Sequence, residues 1–119
     1  MAAAEVVRRW ADSINQHDVD TLMMLYAPNA VVRDPQYPEP LEGRDAIRKD
    51  IEDFMRAFPD LRVRPSTPLE ADSAFAFEGT FSGTHEGPLP TDGGEVPPTG
   101  RRMEFNASGF YRLDDQGRI

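Results

Sequence analysis

Residues 30–51 read Ala-Val-Val-Arg-Asp-Pro-Gln-Tyr-Pro-Glu-Pro-Leu-Glu-Gly-Arg-Asp-Ala-Ile-Arg-Lys-Asp-Ile: a short strand, a proline-rich loop and the start of a helix. Alternation puts Ala30, Val32 and Asp34 on one face of the strand, so an inward apolar face would end in a carboxylate at a pocket. An inward carboxylate is a candidate general base. Pro35 biases Asp34 towards extended backbone and ends the strand, which would hold the side chain at the pocket rim. The competing reading is plain turn chemistry, because Asp-Pro commonly caps a turn.

Outward from this stretch, the chain totals set bounds. A chain of 119 residues is one domain, with room for one cavity at most. With no cysteine there is no disulfide framework, no thiolate chemistry and no zinc site built on sulfur, and reducing cytoplasm is the expected location. Met1-Ala-Ala-Ala runs straight into Glu5 without the basic and apolar regions of a signal peptide. No later apolar run approaches membrane-spanning length, so no membrane partner is expected. A net charge of -8 argues against nucleic acid, whose phosphates require a basic face.

Before residue 30, Val6, Val7, Trp10, Ala11 and Ile14 fall at helical spacings and predict an amphipathic helix over 4–16 with Ser13 on its polar side. Trp10 reads as core packing or as a ligand-stacking group. Asn15-Gln16-His17-Asp18 breaks the pattern, with His17 as exposed turn filler and Asp18 as the N-cap of a second helix. Ala27-Pro28-Asn29 stops that helix. After Gly43, the positions Ile47, Ile51, Phe54, Met55 and Phe58 form one apolar helical stripe, ended by Phe58-Pro59-Asp60.

Beyond Pro59 the period becomes two. Leu61, Val63 and a proline-broken run to Leu69 suggest a bulged edge strand, with a turn at Glu70-Ala71-Asp72-Ser73. From Ala74 to His85 one face carries Phe75, Phe77, Gly79, Phe81, Gly83 and His85; the two early glycines suit a curved strand. His85 reads as a strand-end histidine half in water or as a pocket residue. Residues 86–98 read as a long loop of the kind often used as a lid. A strand from about Thr99 to Leu113 follows, with Met103, Phe105, Ala107, Gly109 and Tyr111 on its apolar face. Asn106, Ser108 and Phe110 share the outer face, which suits a solvated sheet or a dimer contact better than an enzyme site. Asp114-Asp115-Gln116-Gly117 is a hairpin turn, and Arg118-Ile119 starts a returning strand.

This order of elements, together with Asn-Ala-Val-Val-Arg-Asp-Pro at 29–35, Glu-Gly-Arg-Asp-Ala-Ile at 42–47, Gly-Thr-His-Glu-Gly at 83–87 and Pro-Pro-Thr-Gly-Arg-Arg at 97–102, resembles the SnoaL-like polyketide cyclase and ketosteroid isomerase group of the nuclear transport factor 2-like superfamily. The resemblance implies an α+β, cone-shaped fold over 1–119, with three helices packed on a curved, mainly antiparallel sheet. It implies cofactor-free, metal-free acid/base chemistry on an apolar cyclic or polyketide-like molecule, and a homodimer through the outer sheet face.

By position Asp34 matches the isomerases' general base. The tyrosine and protonated aspartic acid of the isomerase oxyanion hole align with Trp10 and Gly109, so the steroid reaction itself is not expected. The cyclases' catalytic aspartate, as the resemblance implies, lies on a last strand past Ile119, and the domain reads as cut short there. The expected catalytic set is therefore Asp34 with Trp10 or His85 polarising a substrate oxygen. Tyr26, Phe54, Phe58 and Phe77 would form the substrate wall with Phe81, Met103, Phe105 and Tyr111. The alternatives are a carrier of small hydrophobic ligands and a structural dimer whose pocket is only core.

Overall fold

The computed structural model describes residues 2–119. Helix α1 (Ala3–Asn15) buries Val6, Val7, Trp10, Ala11 and Ile14, as the spacing predicts. Ser13 is buried as well, not on the polar side, and is satisfied by donating to the Arg9 carbonyl at 2.7 Å. Asp18 caps α2 (Val19–Met24), accepting from the Thr21 N–H. Between the two helices His17 is more than turn filler. It takes a left-handed φ of 55° and sets Nε2 3.0 Å from the Leu61 carbonyl oxygen.

The first strand is shorter than alternation predicts. Strand β1 (Val31–Val32) pairs with β2 (Leu41–Glu42) and stops two residues before Asp34. The proline content of the intervening loop, at 35, 38 and 40, removes the donors a longer ladder would need. Gly43, at φ 85°, donates to the Ala30 carbonyl and turns the chain into α3 (Arg44–Ala57). Ile47 and Met55 of α3 are buried, while Ile51 and Phe54 are half-buried against the core.

The main sheet is antiparallel and centred on β5 (Ala74–Thr84). Strands β3 (Arg62–Pro65) and β4 (Leu69–Ala71) share one edge of β5 in succession, and β8 (Arg102–Arg112) covers the other along its whole length. Pro65 and Pro68 split the run into two strands. Ser66 carries the ladder across the break, its N–H donating to the Glu78 carbonyl and its hydroxyl accepting the Glu78 N–H. Glu70 and Ala71 belong to β4, so the turn expected from Glu70 tightens to Asp72-Ser73, with Asp72 at φ 51°. Three helices on a mainly antiparallel sheet give the expected α+β architecture. No helix among the described residues is long and apolar enough to cross a membrane.

The stretch expected to be an open loop or lid contains a second hairpin, β6 (Leu89–Thr91) and β7 (Gly94–Val96). It is tied to the end of α3 by the Glu86 and Gly87 N–H groups, both donating to the Ala57 carbonyl. A Cβ on Gly87 would stand 2.1 Å from the Arg56 carbonyl oxygen, so only glycine permits this approach. After β8, Asp114 accepts from the backbone of Gln116 and Arg118. Ile119 then returns to exchange backbone bonds with Leu25 and Ala27.

Helix α1 is registered on the sheet by Asn15. Its amide donates to the Val63 carbonyl at 3.0 Å and accepts the Val63 N–H at 2.7 Å, replacing the ladder partner that β3 lacks on that side. Asn15→Ala strands both backbone groups and is expected to cost about 2 kcal/mol of unfolding free energy. Urea denaturation with an unchanged slope checks this, because the loss belongs to the native state.

Candidate functional site

The sequence of β5 and β8 makes one aromatic face. Phe75 lies opposite Tyr111, Phe77 opposite Gly109, and Phe81 opposite Phe105. Tyr111 stacks on Phe75 at 5.1 Å and on Phe77 at 5.2 Å. Trp10 comes down from α1 edge-on to Phe77 and Phe81, with centroids at 5.2 and 6.1 Å; such edge contacts contribute about 1 kcal/mol each beyond burial. Over this floor lies a cavity of about 750 Å³, walled by the 31–36 segment on one side and by β8 residues 107–112 on the other. Among the described residues that edge of β8 pairs with no strand.

The polar and charged side chains among its lining residues are Asp34, Tyr26, Tyr111 and Trp10, with Arg33, Gln36, Ser108 and Arg112 beside them. Tyr26, 5% exposed, follows α2 and is fixed from behind by Arg44, whose guanidinium donates to the Tyr26 carbonyl. Burial pushes the Tyr26 hydroxyl well above the usual phenol range, with Tyr111 adding to the effect and the Trp10 indole opposing it. Burial, then the charge of Asp34, pushes Tyr111 up in the same direction. Both phenols therefore stay protonated and able to donate. Asp34 is half-buried, and its two sequence readings coexist. Oδ1 accepts the Gln36 N–H at 2.9 Å as a turn cap, and among the described residues Oδ2 has no protein partner.

His85 stands elsewhere. It is 7% exposed and packs on Phe58 at 5.5 Å, beyond the end of β5. Its Nδ1 lies 3.0 Å from Thr99 Oγ1, and its buried Nε2 has no partner among the described residues. The docked end of α3 closes this region: a Cβ on Gly83 would meet Phe58 Cβ at 3.1 Å. His85 thus shares a sheet face with Phe81 without lining the cavity. Phe58 and Met103 pack at the same closed end as core. Phe105 spans Phe81 and Phe54, at 5.2 and 6.4 Å, and Phe54 lines a separate cleft of about 300 Å³ against α3. Of the expected wall, Tyr26, Phe77, Phe81 and Tyr111 line the main cavity.

The two tyrosines count for more than wall, and Gly109 shows why this was hidden. A Cβ on Gly109 would lie 2.9 Å from the Tyr111 ring and 3.1 Å from its hydroxyl oxygen. The phenol leans back along β8 and occupies the space of the missing side chain. The Tyr111 hydroxyl thereby stands beside position 109, a placement visible only once side-chain direction along the strand is known.

The sequence model of the SnoaL-like domain matches residues 7–119. Among solved structures, the chain is similar to the candidate polyketide cyclase IdmH from Streptomyces antibioticus, with 27% identity over 97% of this chain and 84% of that one and a TM-score of 0.74. It is also similar to the epoxide hydrolase/cyclase-like enzyme SalBIII, of pyran ring formation in the polyether salinomycin (22% identity, 97% and 82% covered, TM-score 0.78). A third likeness is to AclR, a candidate hydroxylase from Streptomyces galilaeus (23% identity, 96% and 68% covered, TM-score 0.77). The last two carry the fold alone.

All three tyrosines of the chain, Tyr26, Tyr37 and Tyr111, are pushed upwards. A phenol that holds its proton more tightly when folded contributes stability that is complete below its unfolded value near pH 10 and is lost as pH rises above it. Ultraviolet titration of the folded protein is expected to show tyrosinate appearing only above the pH at which unfolded tyrosine ionises.

Proposed function

The chain belongs to the SnoaL-like domain family, within the nuclear transport factor 2-like group, and from that premise we propose that it is a cofactor-free acid/base enzyme of cyclase or isomerase type. Its substrate in this reading is an apolar cyclic or polyketide-like ketone. The observation that carries the reading is the meeting of one carboxylate with two protonated phenols in a single aromatic cavity. Asp34 removes a proton from the carbon beside a carbonyl, and the C–H electron pair moves onto the carbonyl oxygen as an enolate. Tyr111, with Tyr26 behind it, donates to that oxygen. Asp34 then returns the proton: in an isomerisation to carbon at a new position, and in a cyclisation to the oxygen of a second carbonyl, which becomes an alkoxide when the enolate carbon adds to its carbon and closes the ring. Phe77 and Phe81 hold the substrate's apolar body and keep water away, which strengthens the phenol's hydrogen bond to the developing charge.

Solvent deuterium uptake beside the carbonyl, followed across cyclic ketones and aromatic polyketide mimics, tests this. Asp34→Asn is expected to lower turnover by about 10²–10⁴-fold, and Tyr111→Phe by roughly a hundredfold. Equal exchange by wild type and Asp34→Asn would sink the assignment of the base. Ligand binding without exchange in the wild type would instead favour the carrier reading.

The proposal extends to a homodimer through the outer sheet face. Leu69, Ala76 and Phe110 are successive cross-strand partners there, with Leu69 78% and Phe110 95% exposed. Large side chains standing free in one row mark an association surface. Phe110→Asp is expected to convert a sedimenting dimer to monomer, and a wild-type monomer at all concentrations would contradict the surface.

A further inference from the structure

The segment carrying Asp34 has little to hold it. Between β1 and β2, residues 33–40 include three prolines, and the only backbone bond within them joins the Tyr37 N–H to the Asp34 carbonyl at 3.0 Å. The Asp34 Oδ1 cap on Gln36 lies inside the same turn. Neither bond connects the turn to the rest of the molecule. Among the described residues one side-chain hydrogen bond does: the Tyr37 hydroxyl donates to Asp50 Oδ1 on α3.

Asp50 is well placed to act as an anchor. It sits mid-helix, one turn from buried Ile47, and lines the smaller cleft together with Tyr37, Leu41 and Phe54. Gln36 faces both that cleft and the main cavity, so the 34–37 turn is the partition between them. Burial, followed by the charges of Asp34 and Asp53, pushes the Asp50 carboxyl up, while the Tyr37 hydroxyl opposes this. The hydroxyl is thus the group that makes a half-buried carboxylate tolerable on this face of α3.

We infer that Tyr37 and Asp50 form a latch that fastens the Asp34 turn to α3, making both of them positioning residues for the Asp34 carboxylate. The inference rests on the proposed role of Asp34 as base. A base must stand within hydrogen-bond reach of its proton, and a displacement of about 1 Å can cost about a hundredfold in rate. A proline-rich turn without the latch has only its two internal bonds, which open more often once nothing fastens the turn to α3, and the carboxylate loses its place against the cavity.

The test compares Tyr37→Phe, Asp50→Ala and Asp50→Asn in the whole chain. Asn keeps an oxygen that accepts the Tyr37 hydroxyl, so it separates the latch from the charge. Amide hydrogen exchange at Gln36 and Tyr37 is expected to accelerate by at least about tenfold in Tyr37→Phe and Asp50→Ala but not in Asp50→Asn, with exchange in α1 and β5 unchanged. On any ketone whose exchange depends on Asp34, kcat is expected to fall about ten- to a hundredfold in the first two variants. KM should move less than about threefold, and Asp50→Asn should restore most of kcat. Unchanged exchange at 36 and 37 in Tyr37→Phe overturns the latch, as does full kcat in both disruptive variants. Accelerated exchange in a protein whose wild type turns over no ketone leaves the latch standing and refutes the catalytic reading on its own.

Discussion

The seating of α1 on the sheet is set by the two hydrogen bonds between the Asn15 amide and the backbone of Val63. An amide side chain presents the same donor and acceptor pair as a peptide group, so Asn15 closes β3 as a neighbouring strand would. It does so from the last residue of α1, and this fixes the helix in register as well as in height. Trp10, a little over one turn earlier, is then held edge-on to Phe77 and Phe81. From there the cavity is a matter of spacing. The indole props α1 off the aromatic floor near β5, and the open side of β8 is left uncovered.

Much of this was legible in the sequence, because the long elements carry unambiguous periods. The alternation of Phe75, Phe77 and Phe81 and the stripe from Ile47 to Phe58 each specify one buried face, and a slip of register would invert it. The short elements were less legible. Parity alone extends strand β1 to Asp34, and Ala30 and Val32 do pack against the core. Parity cannot reveal that prolines end the ladder after two residues. The β6–β7 hairpin lies in a stretch whose composition is that of a loop, and its strands are exposed on nearly every residue, so no alternation marks them.

The candidate site divides along the same line. Position singles out Asp34, Trp10, Tyr26 and Tyr111, and it gives the phenols as wall and Trp10 or His85 as the partner of the base. Two facts that no periodicity carries decide where these side chains stand. Tyr111 leans over Gly109, and the end of α3 docks where His85 would otherwise meet a ligand. Both depend on contacts between residues far apart in sequence.

The central position of β5 also orders the assembly of the chain. Its pairing with β8 runs from Thr84–Arg102, next to the small hairpin, to Ala74–Arg112 at the far end. Loop-closure entropy is lowest where the enclosed chain is shortest, so the ladder zips from the Thr84 end towards Ala74. The pairs that build the floor, Phe77 with Gly109 and Phe75 with Tyr111, are therefore among the last to close. The aromatic floor is thus built by the part of the ladder that encloses the longest stretch of chain, and it is pinned there from both sides, by β4 and by the Leu113 N–H on the Ser73 carbonyl.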